Sequence, residues 1–423
     1  MRHLIVKIRF LVLLAPLLLI SCITQKETKE MNVKKEYFNQ TFLQAVKNLS
    51  FDKINATTLD KDHSDFLEVV KLVLKSKFES VESAIKQKIV EQNNSQFMTE
   101  YFRLLSFSLI YQSKWKELLP SSTYYFFDPD SVFLLARAFS KIEKDSVVFW
   151  KEADTLSFLT TPSGAIIVKV LVNGRARNFW FDTGTNYTIV SSKTAEDCNL
   201  PILSTEKSKA ITLTNYRIDV VPTFIRSLKI GDVELLNQPC LIVDDFNLKL
   251  RLFALNITTE IFGILGWKSL QNCKFTIDYK NRILIVQKPK KEYKEAENFF
   301  WSGVPIIIGN FNNVNLLFIF DIGAEKSFLT NNIFSKIDFQ KIYTQTKKIG
   351  SVGGWKFNVG VVVPFLEFQI GDYKLTLENI QTIDIPKNYF FNIDGILGFD
   401  FIEKVKISFD ISNSNFEILE VYR

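Results

Sequence analysis

Two tripeptides in this chain are placed to do chemistry. Asp182-Thr183-Gly184 and Asp321-Ile322-Gly323 are its only Asp-x-Gly sequences, set in FWFDTGTNYTIVSS at 179–192 and FIFDIGAEKSFLTN at 318–331. In each, an apolar run leads into the Asp and another leads away from the Gly, and 139 residues separate the two acids. If each loop belongs to one half of a duplicated domain, two carboxylates would meet face to face and share one proton, the minimum for activating water with carboxylates alone. Other hydrolytic machinery lacks its parts. The only histidines are His3 and His63, too few for Ser-His-Asp or Cys-His catalysis or a His-rich zinc site. GILGWKS at 263–269 lacks the Gly-Lys adjacency of a phosphate loop.

An Asp-x-Gly by itself is usually a β-turn, so its surroundings decide. From Thr155 onward the pattern is that of strands, with apolar runs such as AIIVKVLV (165–172) cut by Gly and Asn-Gly turns. VKVLVNGRARNFWFDTG parallels IIIGNFNNVNLLFIFDIG. Gly231 of Lys229-Ile230-Gly231-Asp232 lies 49 residues after Asp182, and Gly371 of Gln369-Ile370-Gly371-Asp372 lies 50 after Asp321. Gly-Ile-Leu-Gly follows at 263–266 and at 395–398, and an Asp comes 12 residues after each, at Asp278 and Asp410. Four landmarks in the same order predict two lobes, 155–287 and 299–421, joined by the charged segment QKPKKEYKEAEN at 287–298. A carboxylate becomes a useful base only when held rigidly and shielded from water. The apolar pairs ending in Gly266 and Gly398 can thread beside the Asp loops and pin them from behind, where Gly allows close backbone approach.

Residues 36–150 are helical in pattern, with Phe66-Leu67, Val70, Leu72-Val73-Leu74 and then Phe97, Phe102, Leu104-Leu105, Leu109-Ile110 recurring at helical spacing. Ser76-Lys77-Phe78-Glu79 and Ser113-Lys114-Trp115-Lys116 stand at equivalent turns 37 residues apart, and a further helix is expected from Ser131 to about Ile142. This is the pattern of helix hairpins resembling tetratricopeptide units; a plain helical bundle fits as well. Such a domain could bind a protein partner.

At the N-terminus, Arg2, Lys7 and Arg9 precede an apolar run from Phe10 to Ile20, too short to span a bilayer as a mature helix, so 1–21 reads as a signal peptide. Leu19-Ile20-Ser21-Cys22 resembles the bacterial lipobox, which implies cleavage before Cys22, lipidation of its sulfur, and a polar tether over 22–35. The expected location is the bacterial cell envelope, anchored by lipid to a membrane on its periplasmic or surface face. An ordinary signal peptide with an incidental cysteine is the alternative. With 423 residues, 47% hydrophobic and 23% charged, the chain suits two or three globular domains. The net charge of +6 falls to +3 without the leader, too small to argue for nucleic acid. Cys198, Cys240 and Cys273 match no metal pattern and are either one disulfide with a spare thiol or three small buried residues.

Over about 156–421 the chain resembles the retropepsin-like aspartic proteases, on the strength of FDTGT (181–185), FDIGA (320–324) and the repeated GILG. The resemblance implies an α+β multidomain protein: an α-helical repeat or bundle, then two tandem all-β lobes forming a single-chain, pepsin-like pseudodimer that works as a monomer on peptide or protein substrates. Asp182 and Asp321 would be the catalytic pair, with Thr183, Gly184, Thr185, Ile322, Gly323, Ala324, Gly266 and Gly398 supporting their loops. No metal or organic cofactor is implied. Flaps would cover the cleft, and Gly353, Gly354 and Trp355 in lobe 2 and Tyr216 in lobe 1 stand where their tips would fall, unless both are ordinary hairpin turns. Ile322 departs from the family, whose Thr or Ser hydroxyls at that position brace the two loops against each other. Half of that brace is therefore expected to be missing, with a buried partner left unsatisfied. Three readings follow: a lipid-anchored endopeptidase; a degenerate fold that grips an extended peptide as a scaffold; and lobes that pair with a second chain.

Overall fold

Helical periodicity in the first third becomes helices with recognisable stop signals. The computed structural model describes residues 39–422, apart from 56, 58, 92–94, 122–128, 162–163, 213–216, 252–257, 261, 291–296, 352–353 and 386–388. The expected signal peptide, Cys22 and the tether lie outside the described residues. The described residues fall into two compact units, one ending at Asn55 and the other starting beyond it. Within the first, a helical stretch at 39–47 and a 3-10 turn at Phe51–Lys53 bury Phe42, Val46 and Leu49.

In the second unit, α1 (Lys61–Leu74) starts where the Asp60 carboxylate accepts the His63 N–H, and α2 (Phe78–Glu91) follows it. Next come α3 (Met98–Tyr111), α4 (Trp115–Ser121) and α5 (Pro129–Phe139). The two turns singled out by sequence are built alike. Ser76 (φ 52°) and Ser113 (φ 58°) take the left-handed conformation, and Lys77 and Lys114 donate back to Leu72 O and Leu109 O. This bonding ends α1 and α3 and turns the chain into the next helix. The hairpins are unequal, since α2 has 14 residues and α4 has 7. Among the described residues no helix is long and apolar enough to cross a membrane.

Strands begin before Thr155. β1 (Ser146–Phe149) falls inside the stretch expected to be helical, and it pairs antiparallel with Val233–Leu236. Its four residues are too short a run to break a helical reading by pattern. β2 is Ala153–Ser157. Lobe 1 then runs through β3 (Ile166–Val172), β4 (Arg175–Phe181), β5 (Thr188–Ser191), β6 (Ser208–Ile211), β7 (Arg217–Ile230), β8 (Val233–Val243), β9 (Gly263–Leu265), β10 (Lys274–Asp278) and β11 (Ile283–Gln287). Along β3 the inward residues Ile166, Val168, Val170 and Val172 alternate with outward ones, the period of a half-buried strand. The β3–β4 turn is Asn173-Gly174, both at positive φ (47° and 82°), which suits the twist of a two-residue hairpin.

Lobe 2 repeats the plan: β12 (Pro305–Phe311), β13 (Val314–Phe320), β14 (Phe328–Leu329), β15 (Tyr343–Ser351), β16 (Gly354–Ile370), β17 (Tyr373–Gln381), β18 (Gly395–Leu397), β19 (Val405–Asp410) and β20 (Asn415–Val421). Here Asn312 and Asn313 (φ 48° and 66°) make the corresponding hairpin turn. The registers coincide as well. β9 lies parallel to β4, with Leu265 beside Phe181, and β18 lies parallel to β13, with Leu397 beside Phe320.

A sheet in the order β2-β11-β10-β19-β20 joins the lobes. At its centre β10 and β19 run antiparallel, pairing Phe275 with Phe409, Thr276 with Ser408 and Ile277 with Ile407. The paired phenylalanines stack at 5.4 Å between ring centroids. Phe181, the last residue before Asp182, meets Phe275 at 5.1 Å, and Phe320, the last before Asp321, meets Phe409 at 5.1 Å. Both Asp loops therefore rest on one aromatic floor. Cys198, Cys240 and Cys273 are buried and free, so they are the three small buried residues rather than a disulfide.

Candidate active site

Each Asp stands where its strand ends beside a Gly-Ile-Leu-Gly strand. The Asp182 N–H donates to Leu265 O at 3.1 Å, and the Asp321 N–H donates to Leu397 O at 3.0 Å. The chain leaving each loop is caught by the residue after the second Gly. Trp267 N–H donates to Thr185 O (2.6 Å) and Phe399 N–H to Ala324 O (2.7 Å). Gly266 and Gly398 must lack side chains. A Cβ at Gly266 would come within 2.3 Å of the Tyr187 backbone, and one at Gly398 within 2.7 Å of Ala324 O.

The glycines of the two tripeptides serve the opposite lobe. A Cβ on Gly184 would lie 2.3 Å from the Asp321 carboxyl carbon, and one on Gly323 would lie 2.5 Å from that of Asp182. Each carboxyl thus occupies the space left by the other loop's glycine. Asp182 is only 8% exposed.

The two acids are not equivalent. Asp182 Oδ1 accepts from Gly184 N–H at 2.8 Å, and its Oδ2 accepts from the Thr185 hydroxyl at 2.7 Å. Asp321 Oδ1 accepts from Ala324 N–H at 3.1 Å, and alanine has no hydroxyl to add. Burial raises the Asp182 carboxyl above the usual range, while the Thr185 hydroxyl, the Gly184 N–H and Asp321 pull it back. Burial also raises Asp321, and there the Asp182 charge pushes in the same direction, holding it well above an ordinary carboxylate.

The brace between the loops is one-sided but complete within itself. The Thr183 hydroxyl donates across to Phe320 O at 2.7 Å and accepts from Ile322 N–H at 3.0 Å. Ile322, 1% exposed, returns nothing, as its side chain requires. The Thr183 hydroxyl itself is fully used, because a hydroxyl both donates and accepts and this one finds both partners in the facing backbone.

Of the flap positions, Tyr216 and Gly353 lie outside the described residues. Gly354 and Trp355 begin β16, opposite Ser351 and Gly350 of β15. Sequence reasoning missed Thr188 and Ser327. Their hydroxyls accept the N–H of Gly266 (3.2 Å) and Gly398 (3.0 Å) and tie the Gly-Ile-Leu-Gly ends to the Asp loops. The signal was present: a hydroxyl residue stands six positions after each Asp. Among the described residues no group of three or more His, Cys, Asp or Glu side chains is placed to hold a metal ion.

Residues 168–272, which include Asp182 and the first Gly-Ile-Leu-Gly, match the family model for gag-polyprotein putative aspartyl protease. A retropepsin-like aspartic protease from Rickettsia conorii, known from a crystal structure, is 20% identical and aligns over 35% of this chain and 97% of its own, with a TM-score of 0.25. No curated protein sequence matches the chain. The family match supports the retropepsin-like assignment.

Replacing Thr183 by Val keeps the shape and removes the brace, stranding the Ile322 N–H and Phe320 O. Thr183→Val is expected to lower unfolding free energy by about 1–3 kcal/mol in chemical denaturation. An unchanged midpoint would mean that the hydroxyl does not hold the lobes together.

Proposed function

We propose that this retropepsin-like chain is an aspartic endopeptidase in which Asp182 and Asp321 share one proton and activate a single water against a peptide bond. The observation that carries this reading is the reciprocal placement of each carboxyl against the other loop's glycine. Two carboxyls so close cannot both ionise cheaply, so the pair holds one proton across a band of pH.

The surroundings of the pair suggest the division of labour. The Thr185 hydroxyl and the Gly184 N–H favour the charged form of Asp182, which makes it the base. Asp321, with fewer donors and a charge beside it, keeps the proton. Water would attack the carbonyl carbon as Asp182 takes its proton, while Asp321 gives its proton to the carbonyl oxygen. The result is a neutral tetrahedral diol. Collapse breaks the C–N bond, with a proton passing to the departing nitrogen and the other returning to the pair. Ile322 is the feature that would suit a non-catalytic scaffold, yet the loop it stands in still sets Asp321 against Asp182.

With a diverse peptide mixture at mildly acidic pH, Asp182→Asn and Asp321→Asn are each expected to reduce cleavage on the order of a thousandfold or more, because the two act as a unit. Cleavage that survives either change, or is missing from the parent, would sink the proposal. The division of labour has its own test. Thr185→Ala removes a bond that favours ionised Asp182, so the acidic limb of kcat/KM should move up, the alkaline limb staying in place. A downward or absent shift would reverse the roles.

The lipid anchor is a separate proposal resting on Leu19-Ile20-Ser21-Cys22. Cys22→Ser should move the protein from the membrane to the soluble fraction of the producing cells; unchanged fractionation would rule the anchor out.

A further inference from the structure

Trp301 ends a short strand, Phe299–Trp301, that pairs with β12 at the start of lobe 2. It is 4% exposed, and three of the rings against it come from the helical region: Phe78 at the start of α2, Phe107 of α3 and Tyr111 at the end of α3, with centroids at 6.1, 6.0 and 5.6 Å. α1 packs on the same strand, and its Phe66 lies 6.2 Å from Phe390. At the turn between α1 and α2 the Ser76 hydroxyl stands 3.4 Å from that of Ser414, and Lys75 pairs with Glu297 at 2.8 Å.

The turn between α3 and α4 meets lobe 1 instead. Tyr187, five residues after Asp182, lies beside Trp115 of α4 and Phe139 of α5, with centroids at 6.2 and 5.6 Å. The Lys268 and Gln271 side chains each donate to Tyr111 O at 2.8 Å, and the buried Lys268 ammonium faces Asp145 at 3.2 Å. Lys268 also holds the Asp182 loop directly, since its N–H donates to Asn186 O at 2.8 Å. Further out, α5 packs against the lobe 1 hairpin of β6 and β7, where the Ser131 hydroxyl accepts the Lys209 N–H at 3.2 Å.

The two sets of contacts meet at Tyr111. Its carbonyl takes hydrogen bonds from lobe 1, and its ring packs on Trp301 of lobe 2. Close-packed side chains transmit displacement, so the lobes cannot shift against each other without breaking contacts on one side of this residue. Such a shift would matter at the Asp loops, whose brace is anchored from Thr183 alone.

We propose that the helical region is a clasp across the two lobes, closed at Tyr111, and that Trp301 and Lys268 are positioning residues that keep the Asp321 loop in register with the Asp182 loop. The catalytic consequence rests on the shared-proton reading above, whereas the clasp acts in the free chain as well.

The Ile322 N–H reports on it, because its acceptor, the Thr183 hydroxyl, belongs to the other lobe. Amide exchange followed by NMR on the full chain tests the clasp from both sides. Trp301→Leu in lobe 2, and Lys268→Met with Asp145→Asn on the lobe 1 side, should each speed exchange at Ile322 at least about tenfold while the β3 amides exchange as before. Trp301→Phe, which keeps a ring among Phe78, Phe107 and Tyr111, should exchange like the parent. Leu377→Ala, which opens a cavity in the buried part of lobe 2, controls for lost stability and should leave Ile322 unchanged. With a peptide substrate, the two clasp variants should lose kcat on the order of a hundredfold at unchanged KM. Unchanged exchange at Ile322 in either clasp variant, an equal rise in β3, the same rise in Leu377→Ala, or fast exchange with full kcat would overturn the proposal. The exchange measurement needs no turnover, so an inactive Asp pair leaves the clasp standing. An active chain whose Ile322 N–H ignores both variants would remove the clasp alone.

Discussion

Two carboxyls packed close together within a shielded site hold one negative charge far more readily than two, because their repulsion is weakly screened there and each loses water on burial. Left to itself the pair would separate. Here both acids are raised above ordinary carboxylates by burial, and still they are pressed against the backbone of the opposite loop. The rest of the β region can be understood as what opposes that separation. Parallel pairing fixes each Asp N–H to a Gly-Ile-Leu-Gly carbonyl, and the Thr183 hydroxyl ties one loop to the backbone of the other. Beneath both, the Phe181–Phe275–Phe409–Phe320 contacts make one continuous floor out of two lobes.

The duplication is close in backbone and loose in side chains, and the differences fall where function would place them. Thr183 faces Ile322, so the brace is anchored from lobe 1 alone. Thr185 faces Ala324, so only Asp182 receives a hydroxyl. A symmetric pair would have to choose which member holds the proton; an asymmetric one has the choice made for it. Further out, α5 packs on the lobe 1 hairpin, while in lobe 2 Tyr343, Phe357 and Val359 are exposed.

Much of this was legible in the residues. Asp-x-Gly, Gly-Ile-Leu-Gly and the Ile-Gly-Asp turns gave the order of strands, because each is a local solution to a backbone problem that repeats in both lobes. The role of Gly184 and Gly323 was less legible: local reasoning assigns a glycine to its own turn, whereas these make room for carboxyls 137 and 141 positions away. β1 was hidden by its four-residue length, and Tyr187 by its ordinary place after an Asp loop. What no pattern carried was the attachment of the helices. Lys268, Gln271 and Ser131 look like surface residues in sequence, and only the fold brings them to Tyr111 and Lys209. Contacts between distant segments leave no period behind, which is why a region that reads as a separable module turns out to be fastened to the site.

The central claim is that Asp182 and Asp321 titrate as one pair. Carbon-13 spectroscopy of protein labelled at the aspartate carboxyl carbons, with the two resonances assigned through the Asn variants, follows both acids directly across the pH range. A shared proton predicts that each resonance moves in the same two steps, the second lying well above the ordinary carboxylate range and the larger part of the first belonging to Asp182. Two independent single-step curves near the ordinary value of about 4 would contradict it.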